Sequence, residues 1–311
     1  FPTVVSPNPE NPEGFYLAVD LAKKEGADFI LGSDPDADRV GIMVRTSDGE
    51  FKVLTGNQTG VLLLDYLIGA KQRTGKMPAN PVALKTIVTT EMARKVAETN
   101  GLKSYDTFTG FKFLAEKKDK LENAGEGKVI FAYEESYGYM LGDYVRDKDA
   151  VSACSLAAEA AAWAKSQGMT LYDLLKEIYV KYGFFDEALV SIVRQGKEGQ
   201  EEIARMMTQY RNNPPQSLGG SPVITVKDYL TGESLDVKSG RKTPIDMEKS
   251  NVLQFITADS TIVSIRPSGT EPKIKFYFGV RGELCCEDKF EETRQTMERK
   301  IESIKQEMKL I

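Results

Sequence analysis

Asp34, Asp36 and Asp38 alternate along Gly32-Ser33-Asp34-Pro35-Asp36-Ala37-Asp38-Arg39. Three carboxylates in one short loop repel one another unless a cation sits among them and takes an oxygen from each. Hard oxygen donors favour magnesium. A calcium site of the helix-loop-helix type is the competing pattern, but it requires Gly where Arg39 stands and Glu where Arg45 stands. Pro35 stiffens the loop, Ala37 keeps it narrow, and Arg39 adds a planar donor fork suited to a phosphate arriving at the metal. A solvated acidic turn is the alternative for such a triplet read alone.

Three further stretches carry chemistry. Thr107-Phe108-Thr109-Gly110-Phe111-Lys112 offers hydroxyls, a flexible glycine and an ammonium, although an ordinary turn before a helix has the same composition. Glu134-Glu135-Ser136-Tyr137-Gly138-Tyr139 places paired carboxylates and a hydroxyl directly after an apolar run, a combination that can take the vicinal hydroxyls of a sugar. Flanked by apolar residues, these acids are expected to be partly buried and therefore partnered. Arg266-Pro267-Ser268-Gly269-Thr270-Glu271-Pro272-Lys273 is a compact anion cradle, with an Arg fork, two hydroxyls, a glycine that frees backbone amides, and a nearby Lys. By contrast, Arg146-Asp147-Lys148-Asp149 reads as the start of a long Ala-rich helix, with Asp147 or Asp149 as its cap.

The elements that must position these loops follow from periodicity. A helix is expected over 14–25, a buried strand over 27–31 ahead of the Asp loop, a second strand over 40–44, and a hairpin turn at 46–50 returning through 51–54. This makes half of an α/β unit, with too few strands to close a sheet of its own. From about residue 54, helices near 59–70, 91–100 and 113–123 alternate with strands near 82–88, 101–105 and 128–133, which indicates a mostly parallel sheet covered on both faces. Ligands of such sheets sit at the carboxyl ends of the strands, where the two polar loops of this stretch fall. Beyond a candidate hinge at Tyr182-Gly183-Phe184-Phe185, paired strands and two long helices make an α+β layer. The expected fold class is therefore α/β, with three-layer, mostly parallel sheet units (one partial, one complete) followed by an α+β domain. The expected boundaries are 1–53, 54–185 and 186–311.

Composition narrows the partners. The chain has 311 residues, 41% of them hydrophobic, enough for several cores. A net charge of -5 argues against a nucleic-acid surface, and no apolar run approaches the roughly 20 residues of a membrane helix. Three cysteines, two of them adjacent, make a poor disulfide framework and fit a reducing cytoplasm. With no histidine, an acid or base must come from Lys, Glu, Asp or Tyr, or from outside the chain. The opening Phe1-Pro2-Thr3, without an initiator Met, reads as cut from a longer protein.

The Asp-rich, Glu-Glu-Ser and Arg-Pro-Ser-Gly-Thr loops, in this order, resemble those of the α-D-phosphohexomutase superfamily, and most closely its bacterial phosphoglucomutase and phosphopentomutase-like branch. The likeness runs from near Phe1 to the final helix. It implies four domains around a cleft and a phosphoserine that passes its phosphoryl group to a hexose phosphate through a sugar 1,6-bisphosphate intermediate. The Thr-Ala-Ser-His-Asn-Pro-like loop bearing that serine is absent here, so the resemblance makes this chain a portion lacking the phosphoserine domain and inactive alone. It further implies Mg2+ on Asp34, Asp36 and Asp38, and phosphoryl stabilisation by Arg39. Thr109, Gly110, Lys112, Glu134 and Ser136 are implied in sugar binding, and Arg266, Ser268, Gly269 and Thr270 in holding the non-reacting phosphate. The implied partners are a hexose phosphate substrate, glucose 1-phosphate and 6-phosphate first, and the missing N-terminal domains. Ribose or mannose phosphates, a non-catalytic sugar-phosphate-binding module and a metal-dependent phosphatase are the alternatives.

Overall fold

A computed structural model describes residues 1–46, 48–269 and 271–310. Its contacts divide it into two units, Phe1–Tyr182 and Gly183–Ile311.

The first unit opens with a 3-10 turn, Pro12–Phe15, and α1 (Tyr16–Glu25), which ends at Gly26 in the left-handed conformation. Strands β1 (Phe29–Ser33), β2 (Val40–Arg45) and β3 (Phe51–Val53) then form a three-stranded sheet in chain order. Here the mostly parallel arrangement expected of the partial unit is corrected: all three strands pair antiparallel. Their connections are short loops, and parallel neighbours need a crossover of a dozen or more residues. Val40 to Val44 are all buried, as a strand covered on both faces must be. Phe15, Ala22, Ile30 and Met43 make a core on one side.

Helix α2 (Gly56–Arg73) starts at a capping box in which Thr55 Oγ1 accepts from the Gln58 amide at 3.1 Å and Gln58 Oε1 accepts from the Thr55 amide at 3.0 Å. It leads to β4 (Pro81–Thr86), α3 (Glu91–Thr99), β5 (Lys103–Thr107), α4 (Phe111–Asn123), β6 (Lys128–Glu134), β7 (Gly138–Leu141), α5 (Ala150–Ser166) and α6 (Leu171–Tyr182). The sheet order is β5-β4-β6-β7, parallel across the first three strands, with β7 folded back antiparallel on β6. Val82, Leu84, Val129 and Ala132 pack against Phe111, Leu114 and Leu121 of α4. β7 is absent from the expected elements, because Tyr137 at φ 68 turns the chain in a conformation that favours glycine.

The second unit is antiparallel. β8 (Phe184–Val193) and α7 (Gly196–Asn212) precede β9 (Ser217–Leu218), β10 (Ser221–Asp228), β11 (Glu233–Asp236), β12 (Lys242–Pro244), β13 (Leu253–Thr257), β14 (Ile262–Pro267), β15 (Lys273–Gly282) and α8 (Phe290–Glu307). The order is β12-β11-β10-β13-β14-β15-β8, with β9 paired to β10. Tyr210 of α7 packs on Phe276, and Phe290 of α8 on Phe184; by ladder register these targets share one sheet face. Both helices therefore cover the same side, and the result is a mixed α/β protein ending in an α+β region. β8 begins at Phe184, so the second half of the candidate hinge is strand. No described helix is long and apolar enough to cross a membrane.

Candidate functional site

The loop between β1 and β2 folds around the first of its acids. Asp34 Oδ1 accepts from the amides of Asp38 at 3.1 Å and Arg39 at 3.0 Å, and the Asp34 carbonyl accepts from the Ala37 amide at 3.1 Å. Ala37 sits at φ 58, where a larger side chain would add strain. The winding brings one carboxylate oxygen each from Asp34, Asp36 and Asp38 within 4.8 Å of one another. Burial, together with the bond to Asp38 and the charges of Asp38 and Asp36, holds the Asp34 carboxyl above its ordinary range, against the opposing amide of Arg39. Asp38 Oδ1 is buried with no hydrogen-bond partner among the described residues. An all-oxygen, mutually repelling donor set with an orphaned buried oxygen fits a hard divalent cation such as magnesium.

Arg39 ties this loop to the chain's beginning. Its guanidinium donates to Glu10 Oε1 at 3.2 Å, and its Nε lies 3.7 Å from Asp38 Oδ1 and 3.9 Å from Asp34 Oδ2. Nothing in the pattern of Glu10, within a Pro/Asn-rich run, marked it as a partner.

Glu134 ends β6, is 7% exposed, and accepts the Gly110 amide at 2.6 Å. Gly110 stands at φ 113, a conformation open to glycine, which aims its amide at the carboxylate and starts α4 at Phe111 rather than at the expected Phe113. Lys112 thereby falls in the first turn of α4, and Thr109 immediately precedes the amide donor. Burial first, and the charge of Glu135 second, raise the Glu134 carboxyl, while Gly110, Lys148 and Arg39 pull the other way. Its neighbour plays another part: Glu135 Oε2 accepts from Thr89 Oγ1 at 3.0 Å and Thr86 Oγ1 at 3.3 Å, which pins the loop to the end of β4. Ser136 is half-buried beside them.

The two loops are one structure. The Val40 amide donates to the Tyr137 carbonyl at 3.1 Å, and Arg39 bridges to Gly138. The start of α5 closes the assembly: the Ala150 amide donates to the Ala37 carbonyl at 3.0 Å and the Asp149 amide to the Tyr139 carbonyl at 2.9 Å. Asp149, one of the two expected caps, accepts from Val151 and Ser152. Lys148, read in the sequence as part of a capping run, places its ammonium 3.0 Å from Asp38 Oδ2 and 5.5 Å from the Phe111 ring centre. Burial lowers its pKa, but Asp38, Asp147 and Glu134 outweigh burial and leave it raised and charged. The Arg-Asp-Lys-Asp alternation was the available signal; only the fold shows which charge turns inward.

In the second unit, Ser268 and Gly269 border a pocket of ≈ 260 Å³ with Gln200, Asn251 and Lys273. The Ser268 amide donates to the Lys273 carbonyl at 2.8 Å, and Ser268 Oγ accepts the Glu271 amide at 3.3 Å. Arg266, in β14, lies outside this pocket and pairs across the ladder with Lys275 on the sheet face away from Phe276 and α7. Lys275 was not singled out in the sequence, and Thr270 lies outside the described residues.

The chain has relatives among known proteins. A sequence model described as phosphoglucomutase/phosphomannomutase, alpha/beta/alpha domain III matches residues 55–182, and the corresponding model for domain II matches residues 1–49. A phosphoglucomutase of Staphylococcus aureus strain MRSA252 is 40% identical over 281 residues, 90% of this chain and 50% of that protein; its counterpart in strain USA300 is 39% identical over the same length. The chain spans about half the length of the curated relatives it matches. In fold it is similar to the open form of parafusin, a phosphoglucomutase from Paramecium (TM-score 0.59, 18% identity, 94% of this chain and 50% of that one). It is also similar to a phosphoglucomutase/phosphomannomutase family protein from Burkholderia thailandensis (TM-score 0.57, 14% identity, 96% and 52%). With two of the family's domain models matched in order over residues 1–49 and 55–182, and with a phosphoglucomutase 40% identical across nine-tenths of this chain, the chain belongs to the phosphoglucomutase/phosphomannomutase family.

Proposed function

We propose that this chain carries the metal-, sugar- and phosphate-binding parts of a magnesium-dependent phosphohexomutase that interconverts α-D-glucose 1-phosphate and glucose 6-phosphate. The observation that carries the reading is the physical union of the Asp34–Arg39 loop with the Glu134–Gly138 loop, through the Val40 amide and the Arg39–Gly138 bridge. Phosphoryl transfer is catalysed chiefly by positioning and charge neutralisation, and this union sets carboxylates for a metal beside a buried carboxylate for sugar hydroxyls.

In this reading Asp34, Asp36 and Asp38 hold the ion, which when bound offsets charge on the phosphoryl group in transfer. Arg39, anchored by Glu10, presents its remaining donors to phosphoryl oxygens. Glu134, fixed by the Gly110 amide, accepts from sugar hydroxyls, with Thr109, Lys112 and Ser136 around it. Lys148 is paired with Asp38, and its charge also acts on Glu134. For the second phosphate the candidates are Arg266, Ser268, Gly269 and Thr270, although Arg266 lies outside the pocket that Ser268 and Gly269 border. The phosphoserine and the bisphosphate turnover belong to residues outside these 311.

Manganese, a spectroscopic substitute for magnesium, tests the reading on the chain as it is. One Mn2+ per chain should be detected by electron paramagnetic resonance, with Asp36→Asn weakening it at least tenfold. Glucose 1-phosphate should bind by calorimetry, and Glu134→Gln should weaken it without disturbing Mn2+. A coupled glucose 6-phosphate assay with magnesium and glucose 1,6-bisphosphate should be silent. Absence of both binding events overturns the site assignment, and sustained turnover by this chain overturns the placement of the phosphoserine elsewhere.

A further inference from the structure

Cys285 and Cys286 lie between β15 and α8 in the second unit. Both are exposed, and their sulfur atoms are 3.5 Å apart. The backbone around them is tied down: the Cys286 carbonyl accepts the Lys289 amide at 3.2 Å, opening the turn Glu287–Lys289 that leads into α8. The side chains therefore share one solvent-facing edge of a held segment.

Two partners for such a pair can be compared. A disulfide between neighbours is strained, because adjacent Cα atoms are about 3.8 Å apart, below the roughly 4.4–6.8 Å that disulfides span. Strained disulfides are the readily reduced ones, so the dithiol is the favoured state in a reducing medium. A harder, multidentate metal is also disfavoured. Among the described residues, the group of three or more His, Cys, Asp or Glu side chains close enough to share an ion is Asp34, Asp36 and Asp38, so the thiols have no third donor of that kind. What remains is a soft acceptor satisfied by two sulfurs.

We propose that Cys285 and Cys286 form a dithiol site that chelates trivalent arsenicals. The chemistry balances without an oxidant: an organoarsenic(III) oxide, R–As=O, condenses with two thiols to give R–As(S–Cys)2. Two S–H bonds break, two As–S bonds form, and the oxygen leaves with both protons as water. Arsenic stays trivalent throughout.

Phenylarsine oxide is the direct probe, applied to the reduced full chain. One equivalent should be retained per chain, two of the three thiols should vanish from an Ellman titration, and digestion should locate the adduct on the peptide containing both cysteines. Excess 2-mercaptoethanol should fail to remove it, whereas 2,3-dimercaptopropanol should strip it, the signature of a chelate. Cys285→Ser and Cys286→Ser should each abolish retention against the monothiol, and Cys154→Ser should leave it unchanged. Retention in either of the first two variants, loss in Cys154→Ser, or no retention by the parent chain overturns the proposal. The adduct's position on the peptide decides the matter even where a variant folds poorly.

Discussion

Lys148 is bonded to the very acid that a metal would claim. With its ammonium 3.0 Å from Asp38 Oδ2, it offsets part of the repulsion among Asp34, Asp36 and Asp38 and competes with a divalent ion for the same charge. Lys148→Met should therefore tighten Mn2+ binding about three- to tenfold, as expected for one partly screened charge near the site. Equal or weaker binding would show instead that Lys148 holds Asp38 in its ligating pose. Gly138 tests the same contact from the other side. A Cβ there would lie 2.1 Å from Lys148 Cδ, the middle of a flexible chain, so Gly138→Ala should displace Lys148 and shift Mn2+ affinity in the same direction. Gly60 is different in kind, since its missing Cβ would stand 2.0 Å from the fully buried ring of Tyr133. Gly60→Ala should destabilise the chain by about 1–3 kcal/mol in urea unfolding. The loss should shrink when combined with Tyr133→Ala, because residues in contact are not additive.

At the level of elements, the N-terminus of α5 and the β4-α3-β5 corner do the positioning. Asp149 caps α5 while backbone amides at its start hold both loops. Asp149→Ala should cost about 1 kcal/mol. It should also raise hydrogen exchange selectively at 37–40 and 137–139; an increase spread evenly over the unit would show that α5 does not clamp them. Behind the Glu134–Gly138 loop, the fully buried Lys85 meets Glu91 at 2.6 Å and Asp106 at 3.1 Å. Burial pushes the Glu91 carboxyl up, but Lys85 and Arg94 more than reverse this and hold it at about 2, against an ordinary 4.5. A depressed folded value means that the stabilisation is whole above about pH 4.5 and is lost as pH falls toward 2. Asp143, held at about 2 by Lys118 and Lys128 against an ordinary 3.8, adds to the loss over the lower part of that window. Thermal melting should thus fall steeply between these limits, and Glu91→Gln should flatten part of the slope. An unchanged slope would remove the Lys85–Glu91 pair from the account.

Over the whole molecule, contacts separate at Tyr182–Gly183. The second unit has its own sheet, with Phe255, Phe276 and Phe278 fully buried and two helices on one face. A unit with its own core is able to fold alone. Residues 183–311 expressed separately should melt cooperatively by circular dichroism, and a chain lacking a transition would show that this core needs the rest. The arsenical site, which lies wholly within this unit, should persist in that piece.

Much of the candidate site was legible in the residue order because its motifs are local. Alternating carboxylates, a Glu-Glu-Ser run after an apolar strand and an Arg-Pro-Ser-Gly-Thr motif each suggest a ligand class within a few positions, and the α/β-then-α+β succession follows from periodicity. What lay beyond the sequence is pairing at long range. The antiparallel pairing of β1 with β2 appeared only in the structure, as did β7, which follows a left-handed Tyr137 that no propensity favours. Glu134 and Glu135 are adjacent and alike, yet one accepts the Gly110 amide and the other two threonine hydroxyls, because successive side chains at a strand's end leave on opposite sides. Lys148 and Glu10 entered the site through contacts spanning 110 and 29 positions, respectively. A charged side chain at the surface of a helix start and one turned into a site have the same local sequence; which of the two it becomes is decided by the charges the fold sets beside it.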